Sequence, residues 1–204
     1  MKTNYQLIME DIISKLTDKP KLLLHVCCAI CGSSVLEKLL PYFDVTILYY
    51  NPNIYPETEY QKRLNTLKEL IQKENLNISI LEIGYNNKDF EKISKGLEKE
   101  KEGGIRCTNC FLLRLEKTAQ IAAEKNFDYF TTTLSVSPYK DSQKLNKIGS
   151  LLEKKYQIKY LYSDFKKKEG FKRSNEISKQ YNLYRQNYCG CKYSLEESLE
   201  YIKK

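Results

Sequence analysis

Seven cysteines stand in a chain of 204 residues. They form three groups: Cys27-Cys28-x-x-Cys31, Cys107-Thr108-Asn109-Cys110 and Cys189-Gly190-Cys191. An odd number cannot close a fully paired disulfide framework, and thiols in a reducing compartment stay free, so metal, redox or catalytic use is expected. Structural zinc takes four ligands, usually from two knuckles about 15–20 residues apart. Here 75 residues lie between Cys31 and Cys107, and three sulfurs would be left over. An iron–sulfur cluster also takes four thiolates and tolerates wide spacing. Four thiols for a cluster and three for a second site use the whole set; a C-x-C dithiol relaying electrons is the variant. Spacing alone selects Cys28, Cys31, Cys107 and Cys110 for the cluster and leaves Cys27 for the second site. The one histidine, His25, is read as a satisfied core imidazole, and a single histidine argues against a Ser-His-Asp triad.

The elements that must hold these thiols alternate. An amphipathic helix is expected over 5–16, then strands over 21–26, 44–50, 77–83, 128–133 and 158–162. Helices are expected over 35–40 (capped by Gly32-Ser33-Ser34), 57–75, 87–100, 108–125 and 141–155, and a last one from Leu195. This order predicts an α/β fold with a Rossmann-like open, mostly parallel sheet and a basic, Tyr-rich C-terminal segment. Ligands of such sheets sit beyond the carboxyl ends of the strands. The loop after the first strand is Val26-Cys27-Cys28-Ala29-Ile30-Cys31-Gly32. Thiols occupy the place of a phosphate loop, and no Gly-rich phosphate-binding motif is present, so no nucleotide cofactor is expected. One domain over 1–204 is expected. Its N-terminal helix lies within 1–20, and a basic segment, 163–204, completes the active site.

The chain carries a net charge of +8. Residues 140–192 hold 14 Lys and Arg against 5 Asp and Glu, so the excess is regional. Aromatic residues are interleaved there, the composition of a surface that neutralises phosphates and stacks unpaired bases. The longest uncharged run near the N-terminus, Leu22 to Leu36, has 15 residues. A membrane span needs about 20, so neither a membrane partner nor a secretory signal is expected, and the location is cytoplasmic.

Seven blocks in order now give a resemblance. They are Leu24-His25-Val26-Cys27-Cys28-Ala29-Ile30-Cys31, Tyr50-Asn51-Pro52-Asn53-Ile54-Tyr55-Pro56, Gly103-Gly104-Ile105-Arg106-Cys107-Thr108-Asn109-Cys110-Phe111, Phe130-Thr131-Thr132-Thr133-Leu134, Ser137-Pro138, Ser163-Asp164-Phe165-Lys166-Lys167 and Tyr184-Arg185-Gln186-Asn187-Tyr188-Cys189-Gly190-Cys191. Together they resemble the QueH-type epoxyqueuosine reductases of tRNA queuosine maturation. Ile30 departs from the proline expected there, at a position that is not a ligand.

The resemblance implies an adenine-nucleotide α-hydrolase-like fold. It implies a cobalamin-independent, two-electron removal of the epoxide oxygen of epoxyqueuosine, at the wobble position of a tRNA, in the last step of queuosine biosynthesis. It implies a [4Fe–4S] cluster on Cys27, Cys28, Cys107 and Cys110. Beside it would lie a second iron or a redox-active dithiol drawn from Cys189, Cys191 and Cys31, with Cys189 and Cys191 catalytic. The implied partners are a tRNA carrying epoxyqueuosine and an unidentified electron donor. For the substrate, Lys166, Lys167, Lys172 and Arg173 are expected on phosphates and Tyr184 or Tyr55 as stacking platforms, with Lys140 and Arg185 at the site. Asp141 is a candidate proton donor whose commoner role is a helix N-cap. The rival reading is a zinc-stabilised tRNA-binding module without chemistry.

Overall fold

A computed structural model describes residues 2–202. Three successive leucines, Leu22, Leu23 and Leu24, are fully buried in strand β1 (Lys21–His25). Burial on both faces is the signature of a central parallel strand. β1 pairs in parallel with β2 (Asp44–Tyr49) on one side and β4 (Tyr129–Thr132) on the other. β3 (Ser79–Glu82) forms one edge and the two-residue β5 (Lys159–Tyr160) the other, giving the order β3-β2-β1-β4-β5. Every pairing is parallel. The strand order reverses between β1 and β4, and a crevice opens at such a switch point.

Side chains alternate across the strands. Leu22, Leu24 and Ile47 join Leu36, Leu39 and Leu67 on one face, from α2 (Ala29–Leu39) and α3 (Glu57–Lys73). Leu23 and Phe130 join Phe111, Leu115 and Leu145 on the other, from α5 (Ile105–Glu124) and α6 (Ser142–Tyr156). Each such buried side chain contributes about 1.5–3 kcal/mol. α6 approaches β5 so closely that a Cβ on Gly149 would lie 2.3 Å from the Tyr160 ring. α1 (Tyr5–Ser14) lies as expected. α4 (Asn87–Ser94) stops short of the expected residue 100, before Gly96 at φ +80°.

Three boundaries differ in ways that bear on the thiols. α2 starts at Ala29, so Ser33 and Ser34 lie inside it rather than capping it. Ser33 bonds back to the Ile30 carbonyl at 2.9 Å, which lets a hydroxyl sit inside a helix. α5 starts at Ile105, so Cys107 and Cys110 lie in its first two turns. The basic tail contains a further helix, α7 (Gly170–Gln180), before α8 (Lys192–Ile202). α7 buries Gly170, Ser174, Ile177 and Ser178 against α2, and Ser174 meets Ser34 hydroxyl to hydroxyl at 2.6 Å. A face of small polar residues leaves almost no hydrophobic period to read. Among the described residues no helix is long and apolar enough to cross a membrane.

Candidate metal centre

Cys27 and Cys28 leave the carboxyl end of β1, and Cys31 follows in the first turn of α2. The helix N-terminus there favours thiolate over thiol. The three sulfurs lie within 4.8 Å of one another, with Cys27 Sγ 3.9 Å from Cys28 Sγ. Donation from the Cys28 and Cys31 thiols holds Cys27 well below the usual thiol range. Its two donors move the other way: Cys28 is pushed up to about 11, first by its bond to Cys27, and Cys31 well above its ordinary value. Gln186 Nε2 also donates to Cys28 Sγ, at 3.0 Å.

The other four thiols line one small cavity, with Asn53, Phe90 and Arg114 among its walls. Cys107 and Cys110 reach it from α5, where three residues bring side chains to one face. Burial pushes Cys110 up to about 12 and raises Cys107 less. Cys189 and Cys191 reach it from the segment before α8. Gly190 between them has φ +131°, in the region that favours glycine, and a Cβ there would meet Arg63 Nη1 at 3.0 Å.

Two buried arginines organise the site, and the sequence reading missed both. Arg114 stands four residues after Cys110, one turn along the same helix face. Burial opposes its charge, but the nearby Cys110, Cys27, Cys189 and Cys107 thiols outweigh that and raise its pKa. Its Nε donates to the Cys110 carbonyl at 3.2 Å, in the wall of the four-thiol cavity. Arg63 is held by Glu59 at 2.7 Å and donates to the carbonyls of Cys189 at 3.1 Å and Tyr188 at 3.3 Å. Its signal in the sequence was only a Glu59–Arg63 helical pair, which is common on exposed faces.

The expected residues separate into two regions. Tyr55 is at the site: its amide donates to the Gly190 carbonyl at 2.8 Å, and Tyr188 Oη donates to the Tyr55 carbonyl at 2.6 Å. Lys140 is also there, half-buried; burial opposes its charge, but Cys189, Cys27 and Cys31 keep its pKa raised. Lys166 lies next to it, with Nζ 3.4 Å from the Lys140 carbonyl and 2.8 Å from Asp164. Lys167 is exposed. Arg173 instead grips Glu37 through two bonds of 2.8 and 2.7 Å, six residues (~9 Å of helix) beyond Cys31. Lys172 pairs with Glu169 on the same flank. Tyr184 donates to Glu59 at 2.8 Å under the Lys62 ammonium, and Arg185 bonds Asn175. Asp141 caps α6, accepting from the amides of Gln143 at 2.8 Å and Lys144 at 3.3 Å.

His25 is a core residue, as read. Its Nε2 lies 3.2 Å from the Tyr50 carbonyl, so that nitrogen donates, and Nδ1 accepts from Thr132 Oγ1 at 2.8 Å. Arg106 donates to the carbonyls of Leu97 and Glu98, which ties the loop before α5.

The donor set suits a bound metal group. All seven cysteines are free, and two buried or half-buried cations balance thiolate charge. Three site side chains, Asn51, Asn53 and Gln186, each leave a buried carbonyl oxygen without a partner.

Known proteins place this arrangement. The pattern of the epoxyqueuosine reductase QueH family matches residues 22–197. Epoxyqueuosine reductase QueH of Streptococcus pyogenes is 42% identical, over 95% of this chain and 78% of its own. That of Staphylococcus epidermidis is 41% identical, over 93% and 84%. That of Thermotoga maritima is 35% identical, over 87% and 92%. The match spans every thiol described above, from β1 into α8, and on that footing the chain belongs to the QueH family of epoxyqueuosine reductases.

Proposed function

We propose that this chain removes the epoxide oxygen of epoxyqueuosine at the wobble position of a tRNA, in the cytoplasm, as the last step of queuosine formation. The carrying observation is that the thiols gather in two sets, Cys27, Cys28 and Cys31 at the end of β1 and Cys107, Cys110, Cys189 and Cys191 around one small cavity with Arg114. The reaction takes two electrons and two protons and yields an alkene and water. An iron–sulfur cluster, when bound, supplies electrons one at a time. On the pattern of the resemblance, Cys27, Cys28, Cys107 and Cys110 hold it. Cys27, Cys28, Cys31 and Cys107 pack in one cluster of the core, and Cys110 packs with Cys191 in another.

Cys189 and Cys191 then serve beside it. As a dithiol closing to a disulfide they release two electrons and two protons, which balances the reaction; an electron donor must then reopen the bond. With Cys31 they would instead hold a second iron, which would polarise the epoxide oxygen. Arg114 and Lys140 balance the negative charge that gathers as electrons arrive. The four-thiol cavity favours a second partition, with Cys107, Cys110, Cys189 and Cys191 holding the cluster and Cys27, Cys28 and Cys31 the second site.

Replacing Cys189 with Ser tests both levels. Turnover of epoxyqueuosine-bearing tRNA, with a chemical reductant under anaerobic conditions, should fall by more than about 100-fold. A near-wild-type rate contradicts the proposal. Sulfide content separates the partitions: about four per chain retained supports the first, and its loss supports the second.

A further inference from the structure

After β4 the chain passes Cys27, with Thr133 Oγ1 3.9 Å from its Sγ, and then presents an aromatic ring to solvent. Tyr139 is 83% exposed, more than any other exposed large apolar side chain among the described residues. It sits in a β-turn, Ser137-Pro138-Tyr139-Lys140, closed by the Lys140 amide donating to the Ser137 carbonyl at 3.2 Å. Pro138 fixes the first central φ of that turn, and the Tyr139 amide donates to Ser137 Oγ at 3.3 Å. The ring is therefore presented from a fixed backbone. Its neighbour Lys140 is half-buried. Lys166 closes on the Lys140 carbonyl, and Lys167 follows, exposed.

Two consecutive residues of one turn thus differ: Lys140 is half-buried, and Tyr139 stands in solvent with Lys166 against the turn. Exposed aromatic faces beside cations are how proteins hold unstacked bases of single-stranded RNA. We propose that Tyr139 stacks on the nucleobase next to the modified nucleotide in the anticodon loop, while Lys166 and Lys167 meet the adjoining backbone. The assignment rests on the tRNA reading above and deepens it. Recognition includes a second base, so the loop and not the lone nucleoside is the substrate.

The chain has no Trp, so Tyr139→Trp places a single indole at this position. The probe is an anticodon stem-loop RNA carrying epoxyqueuosine at the wobble position. Indole emission should fall by about half or more on saturation. Tyr139→Ala should raise KM for the stem-loop about 5- to 150-fold, as loss of one base stack implies, with kcat within about threefold. Tyr139→Phe, which keeps the ring, should stay within about twofold of wild type. Unchanged emission and unchanged KM, with filter binding showing the RNA bound, overturn the stacking role and leave the reductase reading intact. A wild-type chain that neither binds nor turns over the RNA overturns both. Emission that changes with protein concentration alone assigns the ring to contact between copies and also overturns the role.

Discussion

The two thiol-bearing regions are positioned by different physics. Cys27, Cys28, Cys31, Cys107 and Cys110 sit at the end of a buried strand and in the first turns of two helices. Backbone ladders and leucine packing place them. Cys189 and Cys191 sit in a strap between α7 and α8, placed largely by single polar ties, with Cys191 also packed beside Phe90 and Cys110. Arg63 holds the Tyr188 and Cys189 carbonyls, Tyr55 holds Gly190, and Ser194 Oγ accepts from the Gly190 amide at 3.2 Å. The first arrangement fails only when the fold fails. The second can be undone locally, which suits the thiols expected to change state during turnover.

The largest effect that should separate the two regions comes from Arg63→Met. It removes the strap's main anchor and leaves buried Glu59 without its cation, held only by the Tyr184 hydroxyl, which should lower unfolding free energy in urea by about 3–5 kcal/mol. Limited proteolysis should cut 182–191 at least about tenfold faster, well below the midpoint of global unfolding. Adding Glu59→Gln should recover part of the stability but not the protection of the strap. An unchanged cleavage pattern would show that the strap is part of the rigid half after all.

Gly149→Ala probes the rigid half. Alanine is the better helix former by about 1 kcal/mol, yet its Cβ would press on the buried Tyr160 ring. Overpacking should win and cost about 1–3 kcal/mol, spread over the whole unfolding transition. Equal or greater stability would mean the ring gives way freely.

The smallest effect is a pH dependence on the α2–α7 flank. Hydrogen bonding from Arg173 holds the Glu37 carboxyl below its usual range. A carboxylate lowered on folding contributes stability above its unfolded pKa and loses it as pH falls through the folded value. Both side chains are well exposed, 43% for Arg173 and 49% for Glu37, so solvent screening limits this to under about 1 kcal/mol. The stability gap between wild type and Glu37→Gln should therefore shrink between about pH 5 and pH 3. A gap that is constant across this range would mean the pair contributes nothing.

The same contrast decides what was legible in the sequence. β1 was readable because Leu22, Leu23 and Leu24 bury on both faces, and the remaining strands followed from helices of clear period between them. The grouping of Cys27, Cys28 and Cys31 was legible from spacing, and the fold brings their sulfurs within 4.8 Å of one another. α7 was not, because its packing face is Gly170, Ser174 and Ser178, while Lys172 and Arg173 on its outer side read as an RNA-binding stretch. Arg173 in fact meets a carboxylate of this chain. Arg114 was half legible, since its spacing from Cys107 and Cys110 shares their face. Arg63 was not, because its partners lie 125 and 126 residues away in the chain. A single long-range hydrogen bond leaves no periodic trace.

The central claim is that these thiols hold a redox metal centre for two-electron reduction. Iron, acid-labile sulfide and zinc counted on anaerobically purified chain, with its optical spectrum, test it most directly. The account predicts a brown protein with broad absorbance near ~400 nm, about four sulfides and four to five irons per chain. A colourless protein with stoichiometric zinc, taking up no cluster on reconstitution, would contradict it.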